Sequence, residues 1–226
     1  MKTAIVTGAN RGLGLALVKA LSKDHRVFAL CRNAKNFPVA YKHENIKVLT
    51  VDITDTESVL DFVDGLKEQK IAVDLLINNA GVNDSDDDVV VSEIDEISHI
   101  FKTNVIAPTI LTEYLQPLLK KATTGTVISV SSQMSRYATL NFYNAEHWPY
   151  STSKAALNFA MAAYTVDQPL IKTLLVDPGW MKTRMGGEGA FLEPEYSAAC
   201  IVKLYEKASE LESGKLYSLD GELLDF

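Results

Sequence analysis

Seven short runs rich in apolar residues, at positions 4–6, 27–31, 46–51, 73–77, 127–130, 173–176 and 215–219, punctuate the chain. The clearest, Val27-Phe28-Ala29-Leu30-Cys31, is apolar throughout rather than alternating, the pattern of a strand covered on both faces. Between the runs lie segments with apolar residues at helical intervals, such as Val59, Leu60, Phe62, Val63 and Leu66. Strands alternating with helices imply βαβ units with right-handed crossovers. The expectation is one α/β domain over residues 1–226, a doubly wound parallel sheet of about seven strands with helices on both faces. A chain of 226 residues can still fill a single core, and no shift in composition marks a place to divide it.

Local signals place the helices. Thr54 and Glu57 have capping-box spacing ahead of the second helix, and residues 92–121 read as helical with a bend before Pro108. Residues 194–208 supply the last one.

Ligands of such a sheet bind beyond the carboxyl ends of its strands. There the first strand meets the first helix through Thr7-Gly8-Ala9-Asn10-Arg11-Gly12-Leu13-Gly14. Glycines at this handover let backbone approach a pyrophosphate while the free N–H groups of the helix start face it. The turn therefore reads as the dinucleotide corner of a Rossmann-type fold. A glycine corner that serves only the turn is the plain alternative, and these eight residues alone do not choose between the two.

The net charge of −7 excludes a dedicated nucleic-acid binder, which needs a basic face to meet phosphate. Cys31 and Cys200 form no CxxC pair, which suits a reducing cytoplasm. No apolar run is long enough for a membrane span, and the short first run is not a leader, so a cytoplasmic protein is expected. Asp84-Ser85-Asp86-Asp87-Asp88 invites a calcium reading. Val89 stands where that loop needs glycine and Asp95 where it needs a closing Glu, so a solvated loop is expected. His25, His43, His99 and His147 have no metal-ligand spacing, and no metal is expected.

Tyr150-Ser151-Thr152-Ser153-Lys154 opens a helical stretch, and its spacing puts phenol and ammonium on one face. A nearby cation favours the phenolate, which tunes a phenol toward general-acid work near neutral pH. By itself such a pair is common on exposed helices.

Taken in order, the motifs resemble the short-chain dehydrogenase/reductase family over nearly the whole chain. They are the Gly8-xxx-Gly12-x-Gly14 turn, Asp52, Asn78-Asn79-Ala80-Gly81, Asn104, Ser131-Ser132, Tyr150-xxx-Lys154 and Pro178-Gly179. The run 178–187 narrows the resemblance to the branch of C-factor-like proteins and carbonyl reductases. The resemblance implies that Tyr150 protonates a carbonyl oxygen and Ser132 hydrogen-bonds it. It implies that Lys154 binds the nicotinamide ribose and lowers the tyrosine pKa, and that Asn104 anchors a relay water. For the cofactor it implies a pyrophosphate at Gly8, Asn10, Arg11, Gly12, Leu13 and Gly14, and adenine at Asp52 and Ile53. Asn79, with Ala80 and Gly81 beside it, falls by the adenosine ribose, and Pro178, Gly179, Met181 and Thr183 fall by the nicotinamide. Where an NAD site needs a carboxylate after the second strand, this chain has Cys31-Arg32, and Arg11 lies in the glycine turn. Two guanidinium groups suit a 2′-phosphate, so NADPH is expected over NADH.

The chain also departs from the pattern. Ser132 and Tyr150 are farther apart than in compact members, and the interposed residues, with Tyr137, Phe142, Tyr143, His147 and Trp148, are candidates for a substrate pocket. The pocket is expected from loops 82–92, 132–149 and 180–193, with Gly186, Gly187 and Gly189 making the last one mobile. Ala156, Phe159, Ala160 and Ala163 suit either a homodimer interface or a core face. The expected function is NADPH-dependent reduction of a small aldehyde or ketone. The alternative is an NADP(H)-binding regulatory protein of the C-factor-like kind with little turnover.

Overall fold

The computed structural model describes residues 1–41, 43–83, 93–142 and 147–226. Eight strands form one sheet in the order β3-β2-β1-β4-β5-β6-β7-β8. They are β1 Lys2–Thr7, β2 His25–Cys31, β3 Ile46–Thr50, β4 Leu75–Asn78, β5 Thr126–Val130, β6 Lys172–Val176, β7 Lys215–Tyr217 and β8 Leu223–Leu224. All neighbours pair parallel except β7 and β8. The helices are α1 Gly12–Leu21, α2 Thr56–Glu68, α3 Ile94–Phe101, α4 Ala107–Leu119, α5 Trp148–Asp167 and α6 Pro194–Glu206.

The two-residue period of the strands sorts the core into two layers. Ala4, Val6, Ala29, Ile77, Ile128 and Val176 lie in one cluster, with apolar residues of α1 and α6. Ile5, Phe28, Leu30, Leu76, Val127 and Leu175 lie in the other, with α2, α4 and α5. Ile5 faces both Phe28 and Leu76 in register, so the second layer is continuous across the centre of the sheet. Strands covered on both faces explain the unbroken apolar runs.

Several boundaries differ from the sequence expectation for physical reasons. The cap of α2 is Asp55, whose carboxylate accepts from Glu57 N, because Thr54 instead turns back to hydrogen-bond Asp52. The long helical pattern is divided into α3, a π-helical turn at Lys102–Ile106, and α4 with Pro108 in its first turn. Proline has no N–H to continue an α-helical ladder, which places the irregularity just before it. The eighth strand pairs antiparallel after a turn holding Asp220 and Gly221, with Ser218 N donating to Glu222 O at 2.9 Å. Asp-Gly is a hairpin signal, which the expectation of about seven strands does not use.

The site follows from the strand order. β1 lies between β2 on one side and β4 on the other, so successive connections leave in opposite directions and open a crevice at the carboxyl ends of β1 and β4.

Candidate active site

Gly8 and Gly12 hold φ of +63° and +52°, and a Cβ on Gly8 would lie 3.0 Å from Ala80 Cα. A Cβ on Gly14 would collide with the Gly8 carbonyl oxygen and stand 2.6 Å from Asn79 Nδ2. The corner is thus closed down until only hydrogen fits, which brings β4 against the start of α1. Arg11 precedes that helix in an extended conformation, and no side chain caps its first turn. Backbone donors at a helix start are a ready site for an anion.

Thr7 fastens the two strand ends together. Its Oγ1 accepts the N–H groups of Asn79 and Ala80, each at 3.0 Å, and the Asn79 amide donates to Thr7 O at 2.8 Å. Asn79, expected by a ribose, therefore spends its side-chain N–H on the glycine corner.

Beyond these residues opens a crevice of about 700 Å³. Gly8, Asn10, Arg11, Gly12, Leu13, Gly14, Arg32, Asp52, Ile53, Asn79, Ala80, Gly81, Tyr150, Lys154, Pro178, Met181 and Thr183 all line it. Asn104, Ser132 and Gly179 do not stand among the lining residues. The sequence reading missed Lys19, Asn33, His99, Thr103 and Arg184, which also line it. Lys19, Asn33, His99 and Thr103 sit outside the motifs, and only their placement just after a strand or on a wall-forming helix marks them, whereas Arg184 stands inside the run 178–187 without being read as a crevice residue.

At the rim, Asp52 Oδ1 accepts from Thr54 N at 2.9 Å and from Thr54 Oγ1 at 2.8 Å. Partial burial works against ionisation, but these bonds and the nearby Arg32 and Lys102 charges leave its carboxyl below the ordinary range. The carboxylate is turned onto Thr54 just past its own strand, while Arg32 lines the crevice.

Deeper in, α5 presents Tyr150 and Lys154. Lys154 is 4% exposed, and its Nζ donates to Val130 O at 2.8 Å and lies 5.7 Å from the centre of the Tyr150 ring. Burial pulls the ammonium down to about 8. The phenol is pushed up to about 12, first by burial and also by the Asp177 charge, with the Ser132 hydroxyl acting in the opposite sense. The expectation that Lys154 draws the phenol downward is not met in the protein by itself. Loss of water around the hydroxyl dominates, although the residue as a whole is only half-buried.

Asn104 is buried within the π turn. Its amide brackets Val82, accepting from Val82 N and donating to Val82 O, both at 2.9 Å, and it also donates to Ser153 Oγ at 3.0 Å. Ser153 in turn donates to Tyr150 O at 2.7 Å. Ser153 was not singled out by sequence, since its role is to pass position from Asn104 to the tyrosine.

The three serines after β5 divide clearly. Ser131 Oγ donates to Asn158 Oδ1 at 2.6 Å, and Ser135 Oγ accepts from Asn158 Nδ2 at 2.8 Å. Ser132 alone of the three stands against the phenol, its Oγ accepting from Met134 N at 3.1 Å.

The loop after β6 folds on Trp180. The indole N–H donates to Gly186 O at 2.7 Å and Lys182 N donates to Leu192 O at 2.8 Å. A Cβ on Gly189 would lie 2.6 Å from the Trp180 ring. Gly186 and Gly189 therefore permit close packing, and Gly187 holds a φ of +66° with open space around it. The acidic cluster at 84–88, most of loop 82–92 and Tyr143 lie outside the described residues. Among the described residues no group of three potential metal ligands comes together, and no helix is long and apolar enough to cross a membrane.

Known proteins match this arrangement along its length. The model of the short chain dehydrogenase family matches residues 2–190. The NADPH-bound carbonyl reductase from chicken fatty liver superposes with a TM-score of 0.91 at 28% identity, covering 100% of this chain and 99% of that one. The carbonyl reductase Sniffer of D. melanogaster gives 0.90 at 29% identity, with 100% of both chains covered. Among curated sequences, the short-chain dehydrogenase anuI of Penicillium roqueforti is 27% identical over 98% of this chain and 96% of its own. The crevice, the Tyr150–Lys154 pair and these matches agree: the chain belongs to the short-chain dehydrogenase family, as an oxidoreductase of its carbonyl-reductase-like branch.

Proposed function

We propose that the protein reduces small aldehydes or ketones with NADPH, Tyr150 acting as the general acid. The observation that carries this reading is the Tyr150 phenol beside Ser132 and the buried Lys154, in the crevice that the glycine corner opens. The residues fit a dinucleotide, because the corner is a cradle that a single Cβ would fill and the α1 start is uncapped. When bound, the reduced nicotinamide supplies hydride. A phenol raised to about 12 carries its proton at neutral pH, the form needed to protonate a carbonyl oxygen. Ser132 holds that oxygen, Lys154 binds the nicotinamide ribose, and Asn104, whose side chain is bonded to Val82 and Ser153, anchors a relay water.

NADPH is preferred in this reading because Arg11 and Arg32 line the crevice while Asp52 is folded onto Thr54. The chain forms one domain, and the substrate pocket is assigned to the loops that 82–92, 132–149 and 180–193 span in sequence, through their described residues alone. The face of α5 that carries Ala156, Ala160 and a 75% exposed Phe159 points outward, which supports a homodimer over a core role. A cytoplasmic location follows from the same reading.

The test is the fall in reduced-nicotinamide absorbance over a panel of carbonyls, native protein against Tyr150→Phe. The variant is expected to lose at least about a hundredfold in kcat/KM. Equal rates would reject Tyr150 as the acid.

A further inference from the structure

Among the described residues, Asp177 is the carboxylate whose charge bears on the Tyr150 phenol, and none of the motifs contains it. It follows β6, half-buried, at the same edge of the sheet as Tyr150. Its Oδ1 accepts the backbone N–H of Gln133 at 3.1 Å and, more loosely, that of Gly179 at 3.4 Å. Gln133 immediately follows Ser132 and opens the short 3-10 turn that orients the Ser132 hydroxyl. Gly179, at φ +71°, leads into Met181 and Thr183 on the opposite wall. One carboxylate oxygen therefore joins the turn that carries Ser132 to the turn that leads to the loop over the glycine corner. In that loop Thr183 Cγ2 would lie 3.2 Å from a Cβ on Gly12.

The charge on the same carboxylate works with burial to raise the phenol. Among the described residues, the groups acting on Tyr150 are Lys154 from α5, Ser132 from the turn after β5 and Asp177 from the turn after β6. Arg136 faces Asp177 in turn. Burial raises the Asp177 carboxyl, and the two N–H donors and Arg136 work against that rise.

We propose that Asp177 is a positioning residue for the reductase reaction. It ties the Ser132 turn to the Gly179 turn, and so holds Ser132 in register with the loop over the glycine corner. The kinetic arm of the test rests on the reductase reading above, whereas the tie is a property of the folded chain.

The experiment compares Asp177→Asn, which keeps an oxygen acceptor and removes the charge, with Asp177→Ala, which removes both. Amide hydrogen exchange is read on peptides spanning 131–136 and 177–183. In the Ala variant both peptides should exchange at least about tenfold faster, while the Asn variant stays near native. In alcohol oxidation with NADP+, the rising limb of kcat/KM against pH should move to lower pH by roughly one unit in the Asn variant, since removing a like charge favours the phenolate. Native exchange in the Ala variant overturns the tie, and a superimposed pH profile in the Asn variant overturns the charge effect. If the native protein turns over no carbonyl or alcohol, the reductase reading falls, and the exchange measurement still decides whether Asp177 joins the two turns.

Discussion

Lys154→Met should make the protein more stable while removing its activity. The ammonium is buried, and its pKa drops from 10.5 to about 8 on folding. At about 1.4 kcal/mol per pH unit, that drop corresponds to about 3 kcal/mol of cost for holding the charge inside. A group lowered in this way is charged in both states below pH 8, so the cost is fully present there. It is relieved as pH climbs from 8 toward 10.5, where the unfolded chain binds the proton and the folded one does not. Methionine fills similar volume without charge, but leaves Val130 O without the bond it accepts at 2.8 Å, a loss of about 1 kcal/mol. The variant should therefore exceed native stability by about 1–2 kcal/mol at pH 7, or several degrees in Tm. The advantage should disappear by about pH 10. Urea unfolding of both proteins across that range gives the difference directly, with other titrating groups common to the two. A variant less stable than native at pH 7, or a difference that stays flat with pH, would refute the reasoning.

Replacing Arg32 by Glu together with Arg11 by Ala should shift preference from NADPH toward NADH by at least about tenfold in kcat/KM, measured with both cofactors on one substrate. Thr7→Val removes the acceptor of two N–H groups. It should cost about 1–3 kcal/mol in unfolding free energy and weaken dinucleotide binding, read by fluorescence titration. Leu76→Ala, at the centre of the sheet, should cost about 2–5 kcal/mol by urea unfolding with little change in KM. Phe159→Asp should leave the fold intact by circular dichroism and convert a dimer to monomer by sedimentation. An unchanged sedimentation coefficient would count against the α5 interface.

The parts of the fold that sequence made legible are those in which a short segment carries its own signal. Val27-Phe28-Ala29-Leu30-Cys31 had to be a doubly covered strand, and it is buried from Val27 onward. The π turn escaped because its residues keep a helical pattern, and only Pro108 hints that the ladder changes there. The last strand is only two residues long and too short to show a period. In the site, residues belonging to motifs were legible, and residues that act by holding others were not. Ser153 stands between two motif residues, Asp177 just ahead of another motif and Asn158 outside them all, and what defines the three is a partner 49, 44 or 27 positions away. The phenol's rise was illegible for a related reason: charge spacing is visible along a helix, whereas the loss of surrounding water belongs to the assembled crevice.

The contacts Val82–Asn104–Ser153–Tyr150 run unbroken from the end of the sheet to the backbone of the tyrosine. For anyone altering the substrate range of this enzyme, Ser153 is a fulcrum with no chemistry of its own. Libraries that vary the pocket walls but hold this serine and Asn104 fixed would sample new shapes on an undisturbed frame, whereas libraries that include them would mostly score misplacement.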